Sequence, residues 1–279
     1  MLSIFYGLAS ALTWGAADFT GGIASKRVNV YGVVIGAEAA GLLLCTVLAL
    51  AFKESLPPLQ ALLWGGAAGL SGGIGLLFLY LALARGRMSI AAPVSAVIGA
   101  IVPVVVGTVV DSLPRFWTLA GILLALAAVW LISRTESGSE NSALRLTEIT
   151  LPLIAGVFFG AYFVCMHQAS REAFLWPIVA ARLASTVGIL GFALVTHQPL
   201  GQALRLLPLI ALSGFLDVSG NAFYVLSGQA GRMDVAAVIG SLYPGPTVLL
   251  AGLLLRERLG RVQVLGVLTA LAAIVLMTL

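Results

Sequence analysis

Long apolar runs follow one another along almost the whole chain, with only short polar or Pro- and Gly-containing segments between them. Most runs reach the roughly 20 residues that an α-helix needs to cross a bilayer. The connections are too short for a soluble domain, so we expect an all-α polytopic membrane protein. The pattern predicts ten transmembrane helices, at residues 2–25, 30–52, 59–84, 88–110, 114–133, 150–169, 174–196, 204–228, 233–255 and 260–279.

The composition favours the same class of protein. Of 279 residues, 60% are hydrophobic and 9% are charged, whereas a soluble domain carries roughly 25% charged residues. The net charge of +4 comes from basic residues spread singly or in pairs between the apolar runs, a pattern typical of helix orientation. We expect an integral protein of the cell (inner) membrane, in contact with the lipid bilayer and without a nucleic-acid partner.

One polar stretch divides the predicted helices into two groups of five. Residues 134–147 read RTESGSENSALRLT, which is typical of a flexible connector. The sequence therefore predicts a first five-helix repeat at 1–133, a linker at 134–148 and a second repeat at 149–279.

The two halves also match each other. Shifting the chain by 145 positions aligns residues 69–133 with the second half without a gap. The tripeptide Gly86-Arg87-Met88 falls on Gly231-Arg232-Met233, and Ala125-Leu126-Ala127-Ala128 falls on Ala270-Leu271-Ala272-Ala273. This internal similarity indicates a duplication.

A repeat with an odd number of spans enters the membrane from opposite sides in its two copies. Five helices plus five therefore predict an inverted-topology pair, which is typical of secondary transporters with a site at the interface of the halves. Basic residues are concentrated in the odd-numbered connections, which predicts that those connections are cytoplasmic and that both termini lie outside.

Several segments resemble the EamA-type branch of the drug/metabolite transporter superfamily. They are Trp14-Gly15, the Gly231–Ala237 segment, and Leu254–Leu259 (LLRERL) followed by Gln263-Val264-Leu265-Gly266. The resemblance covers essentially the whole chain. It implies ten helices around a central cavity that carries a small metabolite or drug.

Two carboxylates lie inside predicted helices one and two. Asp18 and Glu38 are each roughly 10–12 Å deep from the same side, at 1.5 Å per helical residue. Charged groups at this depth are expensive unless paired or hydrated, so they are functional candidates. Repulsion between them would favour a protonated form of one, which makes both candidates for proton coupling. Helix-end charges facing water are the alternative.

A second group of polar residues lies in predicted helices seven and eight. Arg182 and Asp217 come to comparable depth if these helices pack antiparallel, so an ion pair is possible. Alternatively, Arg182 can hold a substrate carboxylate while Asp217 and Asn221 hold an amino or hydroxyl group. This distribution of charge predicts a zwitterionic substrate.

Aromatic residues supply a further set of candidates for stacking or cation–π contacts with the substrate. Trp14 and Tyr243 are the substrate-binding candidates among them, and packing or belt positions are the alternative. The resemblance places the wider set on helices that line the cavity: Trp14, Tyr80, Phe163, Tyr224 and Tyr243.

Prolines and glycines predict where helices bend or approach closely. Pro244, Gly245 and Pro246 remove backbone hydrogen bonds inside predicted helix nine and are gating candidates. Glycines four residues apart, as in Gly65, Gly69 and Gly73, predict close helix packing.

The sequence contains no Gly-rich phosphate loop ending in Lys-Ser/Thr, no HExxH or paired-Cys metal motif and no GxSxG motif. We therefore expect no ATP-driven pumping, no metal, no cofactor and no enzymatic activity. The favoured function is secondary transport of a small, amino-acid-like metabolite, as an exporter or facilitator. Proton-coupled multidrug efflux and, less favoured, a membrane-embedded enzyme acting on a lipid are the alternatives.

Overall fold

The computed structural model describes residues 1–85, 88–110, 114–132, 146–255 and 260–278. Within these residues every regular element is helical and there is no strand, as the apolar runs predict. A 3-10 helix, Gly201–Leu206, precedes α8. The α-helices are α1 (Leu2–Ser25), α2 (Val30–Ala51), α3 (Leu59–Arg85), α4 (Met88–Val110), α5 (Phe116–Ile132), α6 (Leu146–Ala169), α7 (Leu175–Val195), α8 (Leu207–Gln229), α9 (Met233–Gly240), α10 (Pro244–Leu255) and α11 (Arg261–Thr278).

Several features of the sequence prediction lie outside the described residues. They are the Gly86-Arg87 dipeptide of the repeat, residues 134–145 of the predicted linker, and the Arg-Glu-Arg-Leu segment at 256–259. The last residues of the predicted linker are helical, because α6 begins at Leu146.

Six helical segments within the described residues are long and apolar enough to span a membrane. Shorter apolar helical stretches cover residues 94–109 and 116–128. The six spans are Val30–Ala51, Leu59–Ala84, Thr150–Ala169, Leu175–Val195, Gly201–Gln229 and Met233–Leu254. The chain is therefore a multi-pass integral membrane protein.

Predicted helix nine (233–255) is two helices, α9 and α10, joined by a turn at residues 241–243. Pro244 and Pro246 have no backbone N–H to continue the α-helical ladder. The turn instead uses hydrogen bonds that reach back three residues rather than four. The N–H of Tyr243 donates to the carbonyl of Gly240, and the N–H of Gly245 donates to that of Leu242. By contrast, α4 is continuous through both of its prolines.

Helices from the first half pack mainly on helices from the second half. α1 packs against α8, and α3 packs against α6. α2 packs against α7 and α8, while α7 also packs against α3. α5 and α11 pair with each other, α4 lies on α6, and α1 lies on α9 and α10. The core between these helices is shared by both halves.

Two glycines allow the closest of these approaches. A Cβ at Gly69 of α3 would collide with the backbone carbonyl of Ala181 on α7. A Cβ at Gly214 of α8 would collide with the backbone carbonyl of Ala37 on α2. Only glycine fits at these two contacts, which set the distance of α2 and α7 from their neighbours.

α2 and α7 are antiparallel and are connected at both ends. The carboxylate of Glu54, just after α2, accepts hydrogen bonds from the backbone N–H groups of Phe174 (2.6 Å) and Leu175 (2.8 Å) at the start of α7. At the other end, the side-chain amide of Asn29, which caps α2, donates to the side-chain oxygen of Gln198 at 3.4 Å. The first connection is charge-assisted and the stronger of the two.

Candidate functional site

An internal cavity lies in the middle of the bundle, between helices of the two halves. Its walls come from α1, α2, α3 and α4 of the first half, and from α6, α7, α8 and the 241–243 turn of the second. Its volume of about 70 Å³ is enough for several water molecules. A solute as large as an amino acid would enter only if the lining side chains moved.

Arg182 on α7 forms the centre of an ion-pair cluster in the cavity wall. Its guanidinium contacts the carboxylate of Glu38 on α2 at 2.9 Å and that of Asp217 on α8 at 2.5 Å. Arg182 and Glu38 are almost fully buried, and the Asp217 side chain is 16% exposed. The Arg182–Asp217 pair that the sequence allows is present, with Glu38 as a second partner.

Asp18 on α1 lies in the same cavity wall but outside this cluster. It is 7% exposed, and it forms no hydrogen bond or ion pair with any residue that the structure describes. The carboxylates of Asp18 and Glu38 therefore face one cavity, but only Glu38 has a cation beside it. A buried carboxylate without a cation is costly, so Asp18 is the least compensated charge in the wall.

Trp14 lies one helical turn before Asp18 and also lines the cavity. Its indole N–H donates to the side-chain oxygen of Asn221 at 3.1 Å. The indole packs against Phe163 and Tyr224, with ring centroids 5.7 and 5.9 Å apart. Tyr162 adds a further ring beside Phe163. One side of the cavity is therefore aromatic.

Tyr243 connects the 241–243 turn to α4. Its hydroxyl lies 2.8 Å from the Ser95 hydroxyl and donates to the carbonyl of Ala92 at 3.1 Å. Next to it, the carbonyl of Gly15 on α1 accepts from the Thr247 hydroxyl at 3.1 Å. These contacts attach the turn and the start of α10 to α4 and to α1, which both line the cavity.

The three gating candidates follow this turn at the start of α10. Pro244 and Gly245 are buried, and Pro246 is half-buried with its side chain close to Gly15 on α1. None of the three is among the described residues that line the cavity. They adjoin the cavity through the turn, where Ser241 and Tyr243 line it, and through the contact of Pro246 with Gly15, the neighbour of the lining residue Trp14.

A family model for the EamA-like transporter family matches residues 1–134 and again residues 146–279. Together the two matches cover almost the entire sequence. The chain belongs to the EamA-like transporter family. The cavity just described is therefore the central cavity of an EamA-like membrane protein, in agreement with the resemblance of its sequence segments.

A crystal structure of another protein has a similar fold. The TM-score is 0.76, with 99% of this chain and 96% of that chain covered at 16% sequence identity. At this identity the likeness shows the fold alone. No curated protein matches the sequence of this EamA-like chain significantly.

The structure also places residues in the cavity that the sequence analysis did not select. Tyr162 and Ser95 line it, and Gly69, which we assigned to packing, lines it as well. Tyr80 and Tyr224 are buried outside its lining, with hydroxyl groups bonded to Ser213 and to the carbonyl of Phe163. Tyr162 lies beside Phe163 in an apolar run, and its neighbours in the sequence gave no signal that it lines the cavity.

Proposed function

We propose that this protein is a secondary transporter that moves a small, amine-bearing metabolite by alternating access, with the central cavity as its transport site. The observation that supports this best is the burial of four ionisable side chains, from both halves of the chain, in one internal cavity. Burying charge inside a membrane protein is expensive, so ionisable groups persist there mainly where they bind or conduct something.

We further propose ten spans arranged as two inverted five-helix repeats, 1–133 and 149–279. Paired contacts support this arrangement, since α1 lies on α8 as α3 lies on α6. The two close glycine contacts support it too, because Gly69 on Ala181 corresponds to Gly214 on Ala37, with shifts of 145 and 144 positions. Two inverted halves can exchange conformations and open the cavity to either side.

An amino-acid-like substrate places a particular demand on Arg182. Its guanidinium already contacts two carboxylates, so a substrate carboxylate would have to displace Glu38 or Asp217. The released carboxylate could then hold the substrate's ammonium, with Asn221 next to it on α8. We propose export or equilibration as the mode of transport.

We propose the proton as the coupling ion, with Asp18 and Glu38 as the groups that exchange it. Asp18 supports this proposal most directly, because no cation among the described residues compensates it. Proton-coupled efflux of drug-like cations is the nearest alternative. A membrane-embedded enzyme acting on a lipid is the less favoured alternative.

Counterflow in proteoliposomes tests the transporter proposal. Vesicles loaded with unlabelled amino acids or amines should accumulate the same labelled solute at equal pH, and protein-free vesicles should not. Absence of protein-dependent flux across a broad panel of amino acids, amines and drug-like cations would overturn the proposal.

A further inference from the structure

Most polar groups in the cavity wall already have partners. Arg182 holds Glu38 and Asp217, the Tyr243 hydroxyl is bonded to Ser95 and to a backbone carbonyl, and the Trp14 indole is bonded to Asn221. A ligand gains little from groups that must first break such bonds. The groups left without partners define what the cavity can bind in this conformation.

Three groups remain without a partner among the described residues. They are the Asp18 carboxylate, the side-chain NH₂ of Asn221 and the hydroxyl of Tyr162. All three residues are more than nine-tenths buried and line the cavity. The Tyr162 hydroxyl oxygen is itself fully buried and has no hydrogen-bond partner among the described residues, so the Asp18 carboxylate and the Asn221 NH₂ are the two groups that a ligand can reach in this conformation.

The net charge of the wall decides which ligand suits these groups. At full ionisation, three carboxylates against one guanidinium leave a net charge of −2 among the described lining residues. A bound monocation reduces this to −1, whereas a zwitterion leaves it unchanged and an anion makes it worse. Because charge in a site of low dielectric is costly, the monocation is favoured.

We infer that Asp18 forms an ammonium subsite for small monocationic amines, a conclusion that rests on the proposed transport function and narrows its substrate class. The protonated amine donates to the Asp18 carboxylate, and the Asn221 NH₂ donates to an oxygen acceptor on the ligand. Trp14, one turn from Asp18, supplies an aromatic face on which an ammonium is also stabilised.

Four compounds of similar size separate the alternatives. Leucinamide is a cation with an oxygen acceptor, 3-methylbutylamine is a cation without one, leucine is a zwitterion, and 4-methylpentanoate is an anion. The measurement is the melting temperature of the purified full-length protein in lipid nanodiscs. At a hundredfold excess over Kd, a ligand should raise it by about 5–10 °C. We expect the largest shift in melting temperature with leucinamide, a smaller one with 3-methylbutylamine, the smallest with leucine, and none with the anion.

Two isosteric variants test whether the stabilisation by leucinamide comes from binding at Asp18. Asp18→Asn should weaken leucinamide binding at least tenfold. Asp234→Asn is the matched control, because Asp234 is also a buried carboxylate but lies outside the cavity and is paired with Arg232. Its leucinamide shift should equal that of the unmodified protein.

A larger shift with leucine than with the amines would overturn the subsite, as would an unchanged leucinamide shift in Asp18→Asn. The absence of any shift with both amines would overturn it too. The transporter proposal is tested separately, by the counterflow assay. Flux of an amino acid without any binding of amines would support transport and would remove only the Asp18 subsite.

Discussion

Lys53 and His197 share one backbone conformation, with φ of 52° in both, immediately after the ends of α2 and α7. In each case the next residue bonds back across the helix end, from Glu54 to Ala49 and from Gln198 to Ala193. This left-handed helix ending turns the chain so that the following residue meets the other helix of the pair. Two positions 144 residues apart thus make the same turn at opposite ends of the α2–α7 pair.

Glycine should be better than lysine at the first of these turns. Lys53→Gly removes the steric cost of a left-handed residue and should raise the free energy of unfolding by up to about 1 kcal/mol. Lys26 is the matched control, since it is also an exposed lysine at a helix end but has φ of −78°. Lys26→Gly should lower stability. Thermal unfolding in detergent measures both, and a loss of stability in Lys53→Gly would contradict the argument.

The carboxylate of Glu54 should contribute more to stability than a typical surface charge. Glu54→Gln keeps only one of the two hydrogen bonds to the start of α7, now neutral, because the amide NH₂ cannot accept from the second backbone N–H. The expected loss is about 1–2 kcal/mol. The control is Glu172→Gln, which makes the same change at an exposed position in the adjoining connection. Equal unfolding temperatures for the two variants would show that the Glu54 contact does not stabilise the fold.

The ion-pair cluster predicts which substitutions lower the free energy of unfolding most. Arg182→Gln leaves both Glu38 and Asp217 buried without their cation and should cost about 3–5 kcal/mol or prevent folding. Glu38→Gln should cost less, because Arg182 keeps Asp217. Combining Arg182→Gln with Glu38→Gln should recover part of the loss, since the pair is then neutral. A double-mutant cycle measures this coupling, and strictly additive losses would argue against a direct pair.

Alanine should destabilise the protein at the two glycines where helices approach most closely. Gly69→Ala and Gly214→Ala place a methyl group against the carbonyls of Ala181 and Ala37, at a cost of about 1–3 kcal/mol or more. Gly191→Ala is the control, because no atom lies within 4 Å of the added methyl group. That variant should be neutral or slightly more stable. Stability is read from melting curves, and equal curves for the three variants would refute the close approach.

Protons and amines should compete if both bind at Asp18. Acidification neutralises the carboxylate, so stabilisation by 3-methylbutylamine, an alkylamine that stays cationic throughout this range, should decrease as pH falls from about 8 to about 5. The other titratable groups facing this space are Glu38, Asp217, Tyr162 and Tyr243, with Arg182 as the cation. Glu38→Gln, which leaves Asp18 intact, should keep the pH dependence, and tighter binding at low pH would exclude the competition.

The sequence predicted the helices well because each is a separate apolar run. Alternating apolar and polar segments fix where α2 and α7 begin and end to within about a residue. The division of predicted helix nine was foreseen only as a tendency, since α4 also contains prolines and remains continuous. Whether a proline bends or breaks a helix depends on its packing, as when Tyr243 bonds to Ser95 on another helix.

Depth arguments predicted the Arg182–Asp217 pair but not the addition of Glu38. Both residues of the predicted pair lie in consecutive helices, so their depths can be compared along the chain. Glu38 joins them only because α2 packs antiparallel on α7, a contact between distant segments that residue spacing does not reveal. The same limit applies to Tyr162, whose position in the cavity depends on the rotation of α6 about its axis.

The contact between Glu38 and Arg182 bears on how such a chain could have evolved. Glu38 follows Ala37 and Arg182 follows Ala181, the two residues on which Gly214 and Gly69 pack. In the inverted-repeat arrangement that we propose, the ion pair therefore joins equivalent positions of the two halves. A homodimer of either half would bring two like charges together at this point, and its association would be penalised. Opposite charges are possible only once each copy can mutate independently. If the two halves were expressed as separate chains, this ion pair would therefore favour association of one half with the other over association of either half with itself.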